Sequence, residues 1–212
     1  MVSVEWHAQL RRSPLLNWVI GLNDRLDYAR WRRANIPGST CPLQKRYALL
    51  DLLRGHTLDL VVETGTFLGD TAAFLSGHGY EVITIELDPK LAALARLRFR
   101  GNRHVRLIEG DSGARLPAVV AALKRPALFY LDAHYSGPGT GKGEIETPIS
   151  AEIDILLQRA PGGSVVAIDD ARCFGTAPDY PPLAQFIDAL QRCGVVDAHV
   201  ADNAIVFSVP GT

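Results

Sequence analysis

The sequence predicts an α/β fold, a mostly parallel sheet with helices on both faces, preceded by a helical extension. From Leu58 onwards, short apolar runs alternate with segments of helical periodicity, which is typical of repeated strand–helix units. The runs are continuously apolar, as expected of parallel strands covered on both sides. With 212 residues, 47% of them hydrophobic, the chain can bury a sizeable core.

The first part of the chain differs because helical periodicity appears there without intervening strands. Residues 1–41 are predicted to form the extension, and residues 42–212 the main domain. The extension is locally basic, and a solvated helix face is the simplest interpretation. A lid, a dimer arm and a patch for acidic substrates are the alternatives. A break at 36–39 precedes a further predicted helix at 42–54.

The first predicted strand runs from Leu60 to Glu63, and a glycine-punctuated turn leads to a helix from about Thr71. Gly65 and Gly69 permit a sharp turn and the close approach of a ligand. Their spacing differs from the dinucleotide pattern G-x-G-x-x-G. A loop at this end of a parallel strand, followed by a helix N-terminus, suits an anionic part of a ligand. A glycine-rich turn without a ligand is the alternative.

Four more strand–helix units follow the first. The predicted strands are 80–86, 105–111, 127–132 and 164–170, and the helices after them are 90–100, 116–123, 149–159 and 183–193. Two short strands, near 195–200 and 204–209, are predicted at the end of the chain.

Each of the first five strands ends in a carboxylate. These acids are Glu63, Glu86, Asp111, Asp132 and the pair Asp169 and Asp170. One such acid could cap a helix, but the series indicates a site along one edge of the sheet. Glu86 follows Glu63 by 23 residues, the distance at which such an acid can accept hydrogen bonds from ribose hydroxyls. NAD and S-adenosylmethionine fit this role equally.

Taken in order, these motifs resemble those of a class I S-adenosylmethionine-dependent methyltransferase. The matching segments are VETGTFLG at 62–69, IE at 85–86, EGDS at 109–112, LDAHY at 131–135 and IDDAR at 168–172. The resemblance covers the chain from about residue 42. It implies a Rossmann-like sheet of seven strands, with the last strand pair inserted antiparallel.

The resemblance also implies how the cofactor lies. The glycine loop, with Glu63, Gly65, Thr66 and Gly69, would line the methionine end of S-adenosylmethionine. Glu86 would hold the ribose. Asp111 would lie near the adenine, together with its neighbour Ser112. These residues are the predicted cofactor site.

Within that family, Asp132, Asp169 and Asp170 resemble the acids of metal-dependent small-molecule O-methyltransferases. This implies a magnesium ion held by the three, since oxygen-only ligands suit magnesium. Two departures, Tyr135 in place of a lysine and Asp170 in place of an amide, prevent transfer of the acceptor's identity. The alternative is that Asp132 contacts substrate while one of the other two caps a turn, with no metal.

The catalytic residues predicted are Asp132 and His134. The ordinary pKa of histidine, near 6.5, suits a base that deprotonates a hydroxyl at neutral pH. His134 could instead only position Asp132 or the loop. The glycine-rich segment 136–143 is predicted to be a mobile cover for the substrate, with a plain surface loop as the alternative.

Composition excludes several classes of function. A net charge of −1 gives no support for nucleic-acid binding, and the apolar run at 14–22 is too short to span a membrane. Three widely spaced cysteines, without C-x-x-C, favour a reducing cytoplasm. The predicted function is therefore methyl transfer to a hydroxyl of a small molecule, with a possible homodimer through the N-terminal helices. A nicotinamide-dependent oxidoreductase and a non-catalytic cofactor-binding subunit are the alternatives.

Overall fold

The computed structural model describes residues 7, 10–11, 13–34, 40–132, 149–176 and 180–211. The predicted base His134 and the predicted cover at 136–143 lie outside the described residues. In the described part of the chain, no helix is long and apolar enough to cross a membrane.

Seven helices and seven strands are present in the described residues. The helices are α1 (Pro14–Ala34), α2 (Pro42–Gly55), α3 (Asp70–Gly77), α4 (Pro89–Arg98), α5 (Ser112–Ala122), α6 (Ile149–Arg159) and α7 (Leu183–Arg192). The strands are β1 (Leu60–Thr64), β2 (Glu81–Glu86), β3 (Val105–Glu109), β4 (Leu128–Leu131), β5 (Val165–Ile168), β6 (His199–Ala201) and β7 (Ala204–Ser208). A short 3₁₀ helix at Ala171–Cys173 follows β5.

The strands form one sheet in the order β3-β2-β1-β4-β5-β7-β6. The first five are parallel, which confirms the predicted α/β fold. Only β7 runs antiparallel to its neighbours β5 and β6, so β6 points the same way as β5. Strand β7 is thus inserted antiparallel between β5 and β6, which confirms the predicted seven-stranded, mostly parallel sheet. The strand order changes direction between β1 and β4, which is where open α/β sheets bind ligands.

The sheet is covered on both faces. On one face, Leu50, Leu75 and Ala95 of α2, α3 and α4 pack on the strands, and this is called the α2–α4 face below. On the other face, helices α5, α6 and α7 cover the strands through buried residues such as Leu116, Leu156 and Phe186. Because side chains alternate along a strand, the last two side chains of each strand point to opposite faces of the sheet.

Helix α1 is joined to this core through α2 and α3. Tyr28 of α1 lies 5.4 Å from Tyr47 of α2, ring centre to ring centre, and Tyr47 contacts Phe74 of α3 edge-on at 5.5 Å. Arg46 of α2 donates to Asp24 of α1 at 2.9 Å. Helix α1 therefore lies on the same side of the sheet as α2 and α3.

The strand predicted near 195–200 is shorter in the structure and begins at His199. Val195 is buried in the core beneath α7 instead of lying in the sheet. Asp197 accepts hydrogen bonds from the backbone and hydroxyl of Ser208 at 2.9 and 2.6 Å. These contacts hold the segment before β6 out of the regular ladder.

Candidate functional site

The turn after β1 is fixed by hydrogen bonds to the end of β2. The backbone N–H groups of Gly65 and Thr66 both donate to the carbonyl of Ile85, at 3.0 and 3.2 Å. Gly65 has a φ of 91°, a conformation that glycine adopts without strain. Phe67 follows with a φ of 50° and donates its N–H to Glu86 Oε2 at 2.7 Å. The predicted cofactor loop and the predicted ribose acid are therefore in direct contact.

Glu86 is a buried carboxylate held in a fixed orientation. Its Oε2 accepts from Phe67, and its Oε1 accepts from the N–H of Asp88 at 2.9 Å. Burial raises the pKa of Glu86, while these two hydrogen bonds oppose the rise. Each carboxylate oxygen can accept a second hydrogen bond, so the group remains able to bind two adjacent hydroxyls.

Glu63 lies on the next strand, on the α2–α4 face, and is only 2% exposed. Thr84 donates its hydroxyl to Glu63 Oε2 at 2.6 Å, and the hydroxyls of Thr66 and Thr84 are 2.6 Å apart. Burial raises the pKa of Glu63 to about 8, and the bond from Thr84 opposes that rise. A cation placed beside this carboxylate would lower its pKa again.

Gly69 ends the loop with a φ of 76° and precedes the first residue of α3. A Cβ at this position would lie 2.7 Å from the ring of Phe99, so contact with Phe99 requires glycine here. This contact is a structural reason for Gly69 that does not involve a ligand. Its predicted place in the cofactor site stays a prediction.

Asp70 supplies a carboxylate at the N-terminus of α3 and is surrounded by arginines. Arg11 Nε and Arg98 Nη1 each donate to Asp70 Oδ1 at 2.7 Å. Arg98 also donates to the carbonyl of Leu68. Arg46 lies 4.0 Å from Asp70 Oδ2. The excess of positive charge next to the glycine loop suits an anionic group of a ligand, as the sequence predicted for this helix N-terminus.

Asp111 and Ser112 lie at the start of α5. Asp111 accepts from the N–H of Ala114 at 3.0 Å and thereby caps the helix, and Ser112 is buried. Near Ser112 lies Glu152 of α6, which is 1% exposed. Burial raises the pKa of Glu152 to about 7. Within the described residues, Glu152 Oε1 has no hydrogen-bond partner, so this acid is a further candidate residue beneath the site.

The acids after β4 and β5 form a second cluster around Lys45 of α2. Lys45 Nζ lies 2.7 Å from Asp169 Oδ2 and 3.2 Å from Asp170 Oδ1. The hydroxyl of Tyr130 donates to Asp169 Oδ2 at 2.8 Å and contacts Asp132 Oδ2 at 3.4 Å. The structure thus brings the three predicted metal-binding acids together, with a lysine and a tyrosine among them.

Asp170 takes a left-handed backbone conformation, with a φ of 52°. Asn203, in the turn between β6 and β7, donates its amide to Asp170 Oδ1 at 2.9 Å. The carbonyl of Asn203 accepts from Ala171 at 2.8 Å. Arg172 Nη2 lies 3.3 Å from the same carboxylate oxygen. The hairpin at the end of the chain therefore holds the segment after β5 in place.

The ionisable groups of this cluster shift one another's pKa values. Burial and the neighbouring Asp169 raise the pKa of Asp132 well above its ordinary value, while Lys45 opposes this. Burial alone would lower the pKa of Lys45, but Asp169 and Asp170 outweigh it and raise the pKa. Burial and the adjacent acids raise the pKa of Tyr130. The lysine thus compensates carboxylates that would otherwise repel one another.

Sequence reasoning missed Lys45, Tyr130, Asn203 and Glu152. Tyr130 could have been found, because it stands two residues before Asp132 on one strand and shares its face. Lys45 gave no signal: it lies 124 residues from Asp169 on a helix with no recognised motif. Only the packing of α2 against β5 brings the two together.

The three acids, as the structure arranges them, do not fit the predicted magnesium ion. Asp169 Oδ2 already accepts from Lys45 and Tyr130, and Asp169 Oδ1 accepts from the N–H of Asp170 at 2.7 Å. Among the described residues, no group of three or more His, Cys, Asp or Glu side chains is arranged to hold a metal ion. The Lys45 ammonium bonds to the same oxygens that a cation would need.

A cavity of about 260 Å³ opens beside this cluster, between α2 and the strands β4, β5 and β7. Its polar end is formed by Lys45, Tyr130 and Asp169. Most of the remaining lining is aliphatic, from Leu49, Leu52, Ala167 and Val206 among others. The cavity can hold a small molecule with an apolar body and a polar group.

No protein-family model matches the chain, and no curated protein matches it in sequence. Solved structures do match it. The SAH-bound methyltransferase PaMTH1 of Podospora anserina is 18% identical, with a TM-score of 0.57, over 88% of this chain and 87% of that one. The O-methyltransferase TomG of Streptomyces achromogenes, in complex with SAM, is 21% identical, with a TM-score of 0.57, over 86% of each chain.

An O-methyltransferase of Bacillus cereus in complex with SAH is 17% identical, with a TM-score of 0.56, over 88% of this chain and 90% of that one. The similarity extends over nearly the whole of each chain, so it concerns the complete sheet and not one motif. With its strand order and its glycine loop, the protein therefore has the fold of the class I S-adenosylmethionine-dependent methyltransferases.

Proposed function

We propose that the protein is a methyltransferase that uses S-adenosylmethionine to methylate a hydroxyl of a small molecule. The observation that carries the proposal is Glu86, a buried carboxylate fixed by Phe67 and Asp88 beside the glycine loop. A carboxylate with two oriented oxygens suits a ribose diol at this place in the fold. The O-methyltransferases of similar fold support the choice of a hydroxyl acceptor.

The bound cofactor would supply a methyl group on a positively charged sulfur. Glu86 would accept hydrogen bonds from the ribose, and Glu63 from the amino group at the methionine end. The loop backbone at Gly65 and Thr66 would line the same end, with Gly69 behind it. The adenine would lie near Asp111 and Ser112, at the N-terminus of α5.

The acceptor would approach from the β4 and β5 side. Asp132 lies between the cofactor loop and the Lys45–Asp169 pair, because β4 is the neighbour of both β1 and β5. There it could accept a hydrogen bond from the acceptor hydroxyl and hold the oxygen in line with the methyl carbon. His134 remains the predicted base for the hydroxyl proton. Alignment of this kind supplies much of the rate in a displacement reaction.

Cofactor choice is tested by calorimetry with S-adenosylhomocysteine and with NAD, each titrated into the unmodified protein. We expect one equivalent of S-adenosylhomocysteine to bind and NAD to give no saturable heat. Saturable binding of NAD alone would favour the nicotinamide-dependent oxidoreductase. Binding without methyl transfer to any hydroxylated acceptor would favour the non-catalytic subunit.

The sequence also predicts a magnesium ion held by Asp132, Asp169 and Asp170. Placing an ion there would require Lys45 to leave the two carboxylates that it bonds at 2.7 and 3.2 Å. The prediction is tested by methyl transfer in excess EDTA. Loss of activity that magnesium restores would support the ion, and undiminished activity would remove it from the reaction.

Homodimer formation through the N-terminal helix is part of the proposal. One side of α1 carries exposed apolar residues, and Leu15, Trp18 and Leu22 are 70%, 65% and 44% exposed. Their three- and four-residue spacing places them on one stripe, which suits a second copy of the helix. A cytoplasmic location is also proposed, because Cys41, Cys173 and Cys193 are all free thiols.

A further inference from the structure

We propose that Lys45 is the built-in cation of the acceptor site, where its ammonium takes the place of a divalent metal ion and binds the acceptor hydroxyl oxygen. This inference rests on the proposed methyltransferase function and names the group that positions its acceptor. It also names the chemical class of that acceptor, a molecule without negative charge that has one hydroxylated end and a compact apolar body.

The first support is the position of the ammonium among the three acids. Lys45 Nζ bonds Asp169 and Asp170 at 2.7 and 3.2 Å, and its side chain is 21% exposed. A divalent ion bridging two such carboxylates would occupy the same space between their oxygens. An ammonium and a metal ion cannot both be there, since each needs these oxygens and like charges repel.

The second support is the number of N–H groups on the Lys45 ammonium. A lysine ammonium has three N–H donors, and within the described part of the chain Lys45 donates only to the two carboxylates. Lys45 also lines the cavity of about 260 Å³ between α2 and the strands. One N–H is therefore available to an oxygen that enters the cavity.

The third support is the placement of this cavity relative to the cofactor loop. Tyr130 is paired in register with Glu63 on one side and with Ala167 on the other. Glu63, Tyr130 and Asp169 all lie on the α2–α4 face, at the ends of adjacent strands. Within the polar end of the cavity, Tyr130 is thus on the strand next to that of Glu63, and Asp169 follows the strand after that.

The lining residues indicate which kind of molecule the cavity can bind. Aliphatic residues of α2, β5 and β7 form its sides, and Asp51 and Asp202 also contribute to its lining. These acids disfavour an anionic acceptor. A cavity of 150 Å³ is enough for benzene, so this one can hold a single ring with a small substituent.

In methyl transfer, a bond forms between the acceptor oxygen and the methyl carbon, and the carbon–sulfur bond breaks with its electron pair passing to sulfur. The hydroxyl proton leaves to a carboxylate or imidazole base. Lys45 keeps all its protons in this step and acts by donating an N–H to the acceptor oxygen. That hydrogen bond orients the oxygen and stabilises the negative charge that develops on it.

Manganese, used as a probe for divalent ions, tests whether Lys45 takes the metal's place. Binding is followed by the loss of the free-ion electron paramagnetic resonance signal in the wild-type protein and in Lys45→Met, Lys45→Ala and Lys45→Arg. Lys124→Ala, at an exposed lysine near the end of α5, is the matched control. We expect Lys45→Met and Lys45→Ala to bind one manganese ion at least tenfold more tightly than the other three proteins.

Phenol and toluene probe the cavity itself by ligand-observed nuclear magnetic resonance. We expect the wild-type protein to bind phenol at least fivefold more tightly than toluene, and Lys45→Met to lose this preference. Stoichiometric manganese binding by the wild-type protein would overturn the inference, and so would an unchanged phenol preference in folded Lys45→Met. If the lysine variants fail to fold, the wild-type manganese result alone decides. Failure of the wild-type protein to bind S-adenosylhomocysteine would instead count against the proposed function.

Discussion

Glu63 shows how a single residue couples burial to ligand chemistry. The residue is 2% exposed and its carboxyl accepts a hydrogen bond from the hydroxyl of Thr84, yet burial still raises its pKa to about 8. In the ligand-free protein at neutral pH the group is therefore largely protonated. A bound amino group beside it would favour the charged form.

The buried acids predict a definite pH dependence of stability. Because the folded pKa of Glu63 lies above its unfolded value of 4.5, its contribution is fully present below pH 4.5 and is lost as pH rises to about 8. Glu152 acts in the same direction up to about pH 7. Urea unfolding at intervals from pH 5 to 8 should therefore give a free energy of unfolding that falls, and Glu63→Gln should flatten the fall between pH 7 and 8.

Asp154→Asn, at an exposed acid of α6, is the control and should leave the slope unchanged. A slope between pH 7 and 8 that is as steep in Glu63→Gln as in the wild-type protein would show that the Glu63 carboxyl is not buried as described.

At the scale of elements, one charged group joins the segment before α1 to α3 and α4. Asp70 accepts from Arg11 of the extension and from Arg98 at the end of α4, both at 2.7 Å. Burial alone would raise the pKa of Asp70, but Arg11 and Arg98 outweigh it and lower the pKa. The stability from this group is therefore present at neutral pH and is lost as pH falls through the lowered folded pKa.

Removing this charge should weaken the attachment of the segment that contains Arg11. Asp70→Asn leaves two partly buried arginines without their acid, so we expect a loss of roughly 2 kcal/mol, less than for a fully buried pair because Asp70 is partly exposed. Urea unfolding measures the loss, and limited proteolysis should show earlier cleavage in the extension. Asp27→Asn, which breaks an exposed pair with Arg30, should cost less than about 0.5 kcal/mol. Equal losses in both variants would contradict the assigned role of Asp70.

The apolar stripe on α1 makes a separate prediction at the same scale. If Trp18 and Leu22 form a dimer interface, Leu22→Glu should place a charge in it and shift the protein from dimer to monomer. Light scattering after size exclusion measures the mass. Asn23→Glu, at an exposed position of α1 that is not at three- or four-residue spacing from Trp18 or Leu22, should leave the mass unchanged. A wild-type protein that is monomeric at all concentrations would refute the interface.

For the whole molecule, the parallel part of the sheet was predictable because each of the first five strands is a largely apolar run followed by an acid. Residues 60–64 are all buried, as such a run requires. The length of β6 was not predictable, because contacts of Asp197 with Ser208 and burial of Val195 decide it. Local periodicity carries no information about such tertiary contacts.

The candidate site was predictable to the same degree. Acids that follow strands in sequence converge in space because parallel strands place their ends at one edge. What fills the space between those acids depends on a helix from elsewhere in the chain, and so Lys45 remained hidden. Gly69 shows a further limit, since a loop glycine can be required by a ring such as Phe99 as well as by a ligand.

The central claim is that S-adenosylmethionine binds at the glycine loop with its ribose on Glu86, and calorimetric titration of S-adenosylhomocysteine into Glu86→Ala tests it most directly. The variant loses the charged acceptor of the ribose hydrogen bonds, which should cost about 2–3 kcal/mol, or roughly 30- to 150-fold in affinity. Glu81→Ala, at the exposed start of the same strand, is the control and should bind like the wild-type protein. A Glu86→Ala variant that is folded and binds S-adenosylhomocysteine with unchanged affinity would contradict the claim.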